Sequence, residues 1–125
     1  MPHADDPAAR RLAEEWFAAM DAGEVATLLK AATVPFKTAS DAVRTRAALT
    51  TMLRDLMSEG PLLRSSPRVD VQTAAGLRAT GIGVPAAFGE GTGMLFGTAH
   101  LGSDFFVLAL AHENGAWKAV GLVRL

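Results

Sequence analysis

His100 and Asp104 are the residues best suited by type and spacing to move a proton. They flank Leu101-Gly102-Ser103, a turn that would bring them close together. Histidine works as a general base near neutral pH, and a neighbouring carboxylate can orient it. The same pattern also describes two polar side chains beside a glycine turn at a solvated sheet edge. His112 precedes Glu113 and Asn114-Gly115, so it reads as an exposed turn residue, and His3 belongs to the N-terminal tail. The chain has three histidines and no cysteine, and no spacing resembles a metal site, so neither a metal centre nor a cofactor is expected. Gly89-Glu90-Gly91-Thr92-Gly93 superficially resembles a phosphate loop. No Gly-Lys-Ser/Thr follows it and no helix is signalled after it, so it reads as a flexible loop. Among the cations, Arg78 beside the glycines could guard a pocket mouth and meet an acidic ligand, or could be a solvated surface charge. Lys37 and Arg44 are the other basic candidates, with Lys37 sent outward if Phe36 faces inward. Asp70 and Gln72 share one strand face whose direction the sequence leaves open.

These side chains must be held by elements that the pattern reveals in part. The terminal stretch Ser103 to Leu125 reads as two long strands around Asn114-Gly115, a strong hairpin signal because both residues tolerate positive φ. Phe105 to Ala111 is apolar without a break, and such a strand needs cover on both faces. Trp117 to Leu125 is apolar except for Lys118 and Arg124. The chain therefore ends in the centre of a sheet, and the earlier segments must supply its cover.

Asp6-Pro7 opens a helix, with Asp as cap and Pro at the first helical position. Leu12, Trp16 and Met20, with Ala9, Ala13 and Phe17 alongside, form an apolar face at helical period until Gly23 ends it. Glu24 opens a shorter helix to about Ala32, with Val25, Leu28 and Leu29 inward. Val34 to Thr38 and Ala42 to Thr45 read as a short strand and its return. Thr45 then caps a third helix, Arg46 to Glu59, striped by Leu49, Met52, Leu53 and Leu56 and stopped by Gly60-Pro61. Ser65-Ser66-Pro67 is a connector, Arg68 to Ala75 a strand, and Met94 to His100 another. Between those strands, Thr80 to Gly93 carries five glycines and one proline in 14 residues and reads as a long loop, either a functional lid or a plain crossover. Helices first and antiparallel strands after them mean α+β, with three helices packed on a curved, mainly antiparallel sheet.

At 125 residues, 50% hydrophobic and 20% charged, the chain fits one domain over 1–125 with residues 1–5 as a flexible tail. A net charge of −1 spread along the chain argues against a nucleic-acid partner. No run of about 18 apolar residues signals a membrane span. The polar start MPHADDPAARR lacks the core of a signal peptide, so a cytoplasmic location is expected. A hairpin apolar on both faces leaves sheet surface to be covered, which predicts a homodimer through the sheet.

Three motifs in order carry a resemblance. Trp16-Phe17-Ala18-Ala19-Met20-Asp21-Ala22-Gly23-Glu24 resembles the opening of the nuclear-transport-factor-2-like superfamily, where an aromatic helix runs into a small-Gly-acidic turn. Arg44-Thr45-Arg46 with the Leu49–Leu56 helix resembles its third helix, and Asn114 to Gly121 its last hairpin. The likeness covers most of the chain outside about 61–100. It implies a cystatin-like cone, in which curved sheet and helices enclose a pocket, and often a homodimer through the outer sheet face. Relatives include ketosteroid isomerase, scytalone dehydratase, limonene-epoxide hydrolase, polyketide cyclases and non-catalytic binding domains, so the fold transfers no reaction. Ketosteroid isomerase uses an Asp base with a Tyr and a protonated Asp. Laid on that pattern, the tyrosine position becomes Trp16, the base falls near Phe36, and the second acid falls at Leu108 or Ala109. None of these exchanges a proton near neutral pH, and the chain has no tyrosine at all.

The expected reading is therefore a small apolar ligand held in the cone by Trp16, Phe17, Met20, Phe36, Phe96 and Phe105, with Phe88 beside them. The same residues could simply fill the core. Two alternatives remain: an enzyme of the isomerase, dehydratase or cyclase type using His100 or Asp104, and a homodimeric interaction module with the pocket filled.

Overall fold

The computed structural model describes residues 3–39, 41–58, 68–101 and 104–125. Helix α1 (Pro7–Ala22) starts as its sequence demands: Asp6 Oδ1 accepts from the Ala8 and Ala9 amides at 2.9 and 3.2 Å. It stops at Gly23, whose φ of 75° lets its N–H reach back to the Ala19 and Met20 carbonyls. Helix α2 (Val25–Ala31) passes directly into strand β1 (Ala32–Lys37), which turns through Thr38 and Asp41 into the two-residue strand β2 (Ala42–Val43). The return strand is shorter than its sequence suggested, since Arg44 and Thr45 leave the sheet to start helix α3 (Arg46–Ser58). Thr45 Oγ1 caps that helix by accepting the Ala48 amide at 3.1 Å. Arg46 Nη2 donates to the Leu29 carbonyl at 2.7 Å, placing a cation on the C-terminal end of α2. The expected stop at Gly60-Pro61 and the connector Ser65–Pro67 lie outside the described residues.

Strand β3 (Asp70–Thr73) is half the length its sequence suggested. Thr73 ends it because its hydroxyl accepts the Gly76 amide at 3.1 Å and caps a fourth helix, α4 (Ala74–Ala79). The stretch expected to be a featureless loop then contains a single 3-10 turn, Ala86–Phe88, before strand β4 (Met94–Leu101). Strands β5 (Asp104–Glu113) and β6 (Ala116–Arg124) form the terminal hairpin, with Asn114 at φ 50° and Gly115 at φ 80° in its turn. The sheet order is β2-β1-β6-β5-β4-β3, so the hairpin is central as its apolar run required. Pairing is antiparallel except between β1 and β6, which run parallel. Between Ala109/Leu110 and Ala119/Gly121 the β5–β6 register slips by one residue; such a bulge bends and twists a strand.

Each face of this sheet has its own apolar core. On the inner face Leu95, Ala99, Phe106, Leu108, Leu110, Ala119 and Leu122 pack against Ala9, Ala13, Trp16, Phe17 and Met20 of α1 and Leu49 and Leu53 of α3. On the outer face Phe96, Val107, Ala109, Val120 and Val123 pack against Leu77 of α4 and Phe88 of the 3-10 turn, with Ile82, Val84 and Ala87 at the margin. The chain thus supplies the second cover that an unbroken apolar strand requires, from the segment that looked least structured. Among the described residues, the one large hydrophobic side chain left exposed is Leu125.

Candidate functional site

Alternation along β4 and β5 decides where the candidate proton-transfer residues go. His100 pairs with Phe105 in the register, and both stand on the outer face, their rings 4.6 Å apart. His100 is solvent-exposed. Asp104 shares the parity of Phe106 and Leu108, which puts it on the inner face. There its Oδ2 lies 3.8 Å from Arg124 Nη1, with both side chains about 44% exposed. The sheet therefore separates His100 from Asp104, and the two form no acid–base pair. His112 is exposed on the hairpin, edge-on to Trp117 at 5.2 Å. His3, Lys37, Arg44 and Arg78 are exposed, and Arg78 Nη2 donates to the Glu90 carbonyl at 2.8 Å. Asp70 is exposed, 3.9 Å from Arg68 Nε, while Gln72 stands opposite Phe96 with a buried Oε1 that has no protein donor.

The aromatic set divides by face as well. Trp16, Phe17, Met20 and Phe36 are fully buried in the inner core, with the Trp16 and Phe36 rings stacked at 5.8 Å. Trp16 Nε1 is buried there without a protein acceptor, an arrangement that costs about 1–3 kcal/mol in general. Phe96 and Phe105 lie on the other side of the sheet, in the outer core, where Phe96 meets Phe88 at 5.9 Å between ring centroids.

On the inner face a groove of about 540 Å3 lies between α3 and the sheet. Its apolar lining is Ala48, Met52 and Leu56 from α3, Phe106 from β5 and Leu122 from β6. Thr38, Ala39, Thr51, Asp55 and Arg124 complete it. The helix contributes positions 48, 51, 52, 55 and 56, one stripe at helical spacing, and the strands contribute alternate inward residues. Thr51 Oγ1 donates to the Ala47 carbonyl at 3.2 Å, so its hydroxyl offers acceptor capacity rather than a proton, while Thr38 Oγ1 donates to the Asp41 carbonyl at 3.1 Å and accepts the Asp41 amide at 3.2 Å. Asp55 adds a carboxylate acceptor, and Arg124 supplies a guanidinium donor. Among the described residues the one buried polar side chain is Thr98, and no group of three metal-ligating side chains is gathered.

Sequence reasoning missed Phe106, Leu122, Met52 and Leu56 as groove residues. Met52 and Leu56 belong to the apolar stripe of α3 that the sequence shows, and a stripe by itself does not separate groove from core. Phe106 was passed over for Phe105, because an unbroken apolar run carries no polar residue to mark which parity faces the helices. Arg124 was the available signal: as a charge of the same parity as Leu122, it marks the end of an inward-facing row that reaches water.

This arrangement is the nuclear-transport-factor-2-like fold: α1 to α3 laid on the concave face of a bent, mixed six-stranded sheet whose central hairpin ends the chain. A protein of this fold and unknown function from Silicibacter pomeroyi superposes with a TM-score of 0.56 at 17% identity, over 95% of this chain and 92% of that one. A "putative ketosteroid isomerase" from Shewanella frigidimarina gives 0.62 at 13% identity, over 96% of each chain. A second such protein of unknown function, from Pseudomonas putida, gives 0.55 at 13% identity, over 99% of this chain and 87% of that one. At these identities the likeness is one of fold. No family model matches the sequence, and no curated protein is significantly similar to it. Among the described residues, no helix is long and apolar enough to cross a membrane.

Proposed function

We propose that the protein binds a small, largely apolar molecule in the groove between α3 and the concave face of the sheet. The observation that carries this reading is the groove itself, about 540 Å3 with Met52, Leu56, Phe106 and Leu122 as apolar wall and Thr51, Asp55 and Arg124 as polar rim. Binding sites for small molecules have this composition and size: mostly apolar lining with a few polar groups that orient the ligand. The walls come from a helix and two paired strands, which hold their shape better than loops. A ligand lies with its apolar body against Phe106 and Leu122, and with hydroxyl or amine groups toward Thr51 and Asp55. Acid–base catalysis on the inner face would need a group held within reach of the proton it moves. Asp104 is half-exposed beside Arg124, and Asp55 is exposed, so binding is the reading these groups support.

Ala48 gives a clean test, because it lines the groove yet is exposed and lies outside both cores. Ala48→Trp fills the groove with an indole while leaving the packing of α3 alone. Wild-type protein is screened by thermal shift against apolar compounds bearing one or two hydroxyl or amine groups, with hits confirmed by calorimetry. The expected result is saturable binding by wild type that Ala48→Trp abolishes at unchanged intrinsic Tm. Binding of equal strength in both proteins removes the groove as the site.

A further inference from the structure

The groove between α3 and the sheet sorts its polar side chains by wall. The strand wall carries the donor, Arg124, whose Nη1 lies 3.8 Å from Asp104 Oδ2, so its charge is met by a carboxylate on the neighbouring strand. The helix wall carries acceptors. Thr51 Oγ1 gives its proton to the Ala47 carbonyl at 3.2 Å and keeps lone pairs to offer. Asp55, one turn further along α3, adds a carboxylate with about four lone-pair sites, more than one partner within the protein fills. Residues four apart on a helix project from the same face, with roughly 5–6 Å between their Cβ atoms, so one small group can meet both. The Thr38 hydroxyl at the groove's end has its proton on the Asp41 carbonyl and adds no donor. The last turn of α3, which Asp55 opens, holds no basic side chain, and the end of a helix favours a cation there.

Three kinds of head group could meet this wall. A carboxylate brings acceptors to acceptors, and the one side-chain donor lining the groove among the described residues, Arg124, already faces Asp104. A hydroxyl brings one proton, enough for Thr51 or Asp55 but not for both. A protonated amine brings three N–H donors and a positive charge, so it serves both acceptors at once and makes a charge-assisted bond to Asp55. Building on the groove as the binding site, we propose that its ligand is an apolar primary amine. The ammonium head sits between Thr51 and Asp55, and the apolar body lies against Phe106 and Leu122. Arg124 then acts on orientation: its like charge on the strand side turns the head toward α3.

The test compares head groups on a fixed body. The primary amine, the alcohol and the carboxylate of phenethyl, cyclohexylethyl and naphthylethyl skeletons are titrated into the intact protein by calorimetry, near neutral pH and at low salt. The amine of a skeleton is expected to bind about three- to tenfold more tightly than its alcohol, as a charge-assisted contact at a partly exposed site allows. The carboxylate is expected to bind more weakly than either. Raising the ionic strength should shrink the amine's lead while the alcohol's affinity holds. Asp55→Asn, an exposed change that keeps a carbonyl acceptor, should make amine and alcohol bind alike. Arg124→Gln should widen the amine's lead, since the cation on the strand side is then gone. An alcohol that equals its amine, a carboxylate that binds best, or a lead that survives Asp55→Asn overturns the inference and leaves the groove as the site. If no form of any skeleton binds, or if Ala48→Trp binds them as wild type does, the groove falls and the inference with it.

Discussion

The two faces of this sheet are covered by opposite kinds of structure. The inner face lies under α1, sixteen residues with buried side chains at 9, 13, 16, 17, 19 and 20, capped at both ends. The outer face lies under six residues of helix, a single 3-10 turn and a run of glycines. Yet both covers solve the same steric problem in the same way. On the inner face Gly97 of β4 lets α1 approach, since a Cβ there would fall 2.9 Å from Ala13 Cβ. On the outer face Gly121 of β6 lets Phe88 approach. A glycine within an apolar central strand marks where the layer above comes closest, whether or not that layer has a period of its own.

The comparison breaks most easily through its aromatic anchors. Phe17→Ala removes a fully buried ring from beneath α1 and is expected to cost about 3–5 kcal/mol in urea unfolding, the usual range for a buried phenylalanine. Phe88→Ala removes a ring of the same size from the outer cover, the strap formed by residues 74–93, whose hydrogen bonds among the described residues stay within 73–94. Its cost is expected to fall within the roughly 0.5–3 kcal/mol of ordinary substitutions. Equal losses from the two variants would show that the outer cover is as integral to the fold as α1.

The glycines give the next largest effect. Gly97→Ala forces its methyl against Ala13 and is expected to cost about 1–3 kcal/mol, the penalty of overpacking. Here the obstacle is one methyl group, so adding Ala13→Gly should recover part of the loss, with a coupling of about 0.5–3 kcal/mol in a double-mutant cycle. At Gly121 a new Cβ would also fall 2.8 Å from the Lys37 carbonyl oxygen, and backbone cannot be trimmed away. Gly121→Ala combined with Phe88→Ala should therefore show less recovery than the Gly97 and Ala13 pair. Full recovery at Gly121 would mean that the ring alone sets the approach.

What could be read from the sequence follows the same division. Asp6, Gly23 and Thr45 act through local hydrogen bonds and backbone conformation, which residue type dictates, and each does what its type predicts. The period of α1 and α3 and the Asn114-Gly115 turn are likewise local, so α1 to α3 and the central hairpin were legible. The strap was not, because a six-residue helix and one 3-10 turn give no period, and Phe88 seats against Gly121, thirty-three residues further along the chain. Thr73 shows the same limit: Val69 and Val71 alternate like a strand, but the hydroxyl that ends it was not recognised as a cap, and α4 was missed. The groove was half legible. Its helix stripe could be seen, but the parity of Phe105 and Phe106 could not, since no polar residue interrupts the run that follows them. His100 and Asp104 stand near the facing ends of adjacent strands, β4 and β5, and alternation sends them to opposite faces.

Acid should separate the two covers by the smallest of these effects. Asp6 is held below its ordinary value of 3.8 chiefly by the Ala9 amide; partial burial opposes this, while the Trp117 indole, the Ala8 amide and the His112 charge reinforce it. A carboxyl whose folded-state pKa is depressed contributes stability that is fully present above its unfolded value and is lost as pH falls through the folded one. Loosening of α1 should therefore begin below about pH 4 and deepen as the folded pKa is crossed, reported by faster exchange at Ala8, Ala9 and Arg10. Asparagine caps a helix about as well as aspartate but does not titrate, so Asp6→Asn should flatten this acid dependence while α1 remains formed. The strap has no such cap: α4 begins at Thr73, whose hydroxyl does not ionise in this range. Its amides should keep their protection relative to β4 to β6 through the same titration. If acid instead opened the strap along with α1, the two covers would be coupled through the sheet rather than held on it independently.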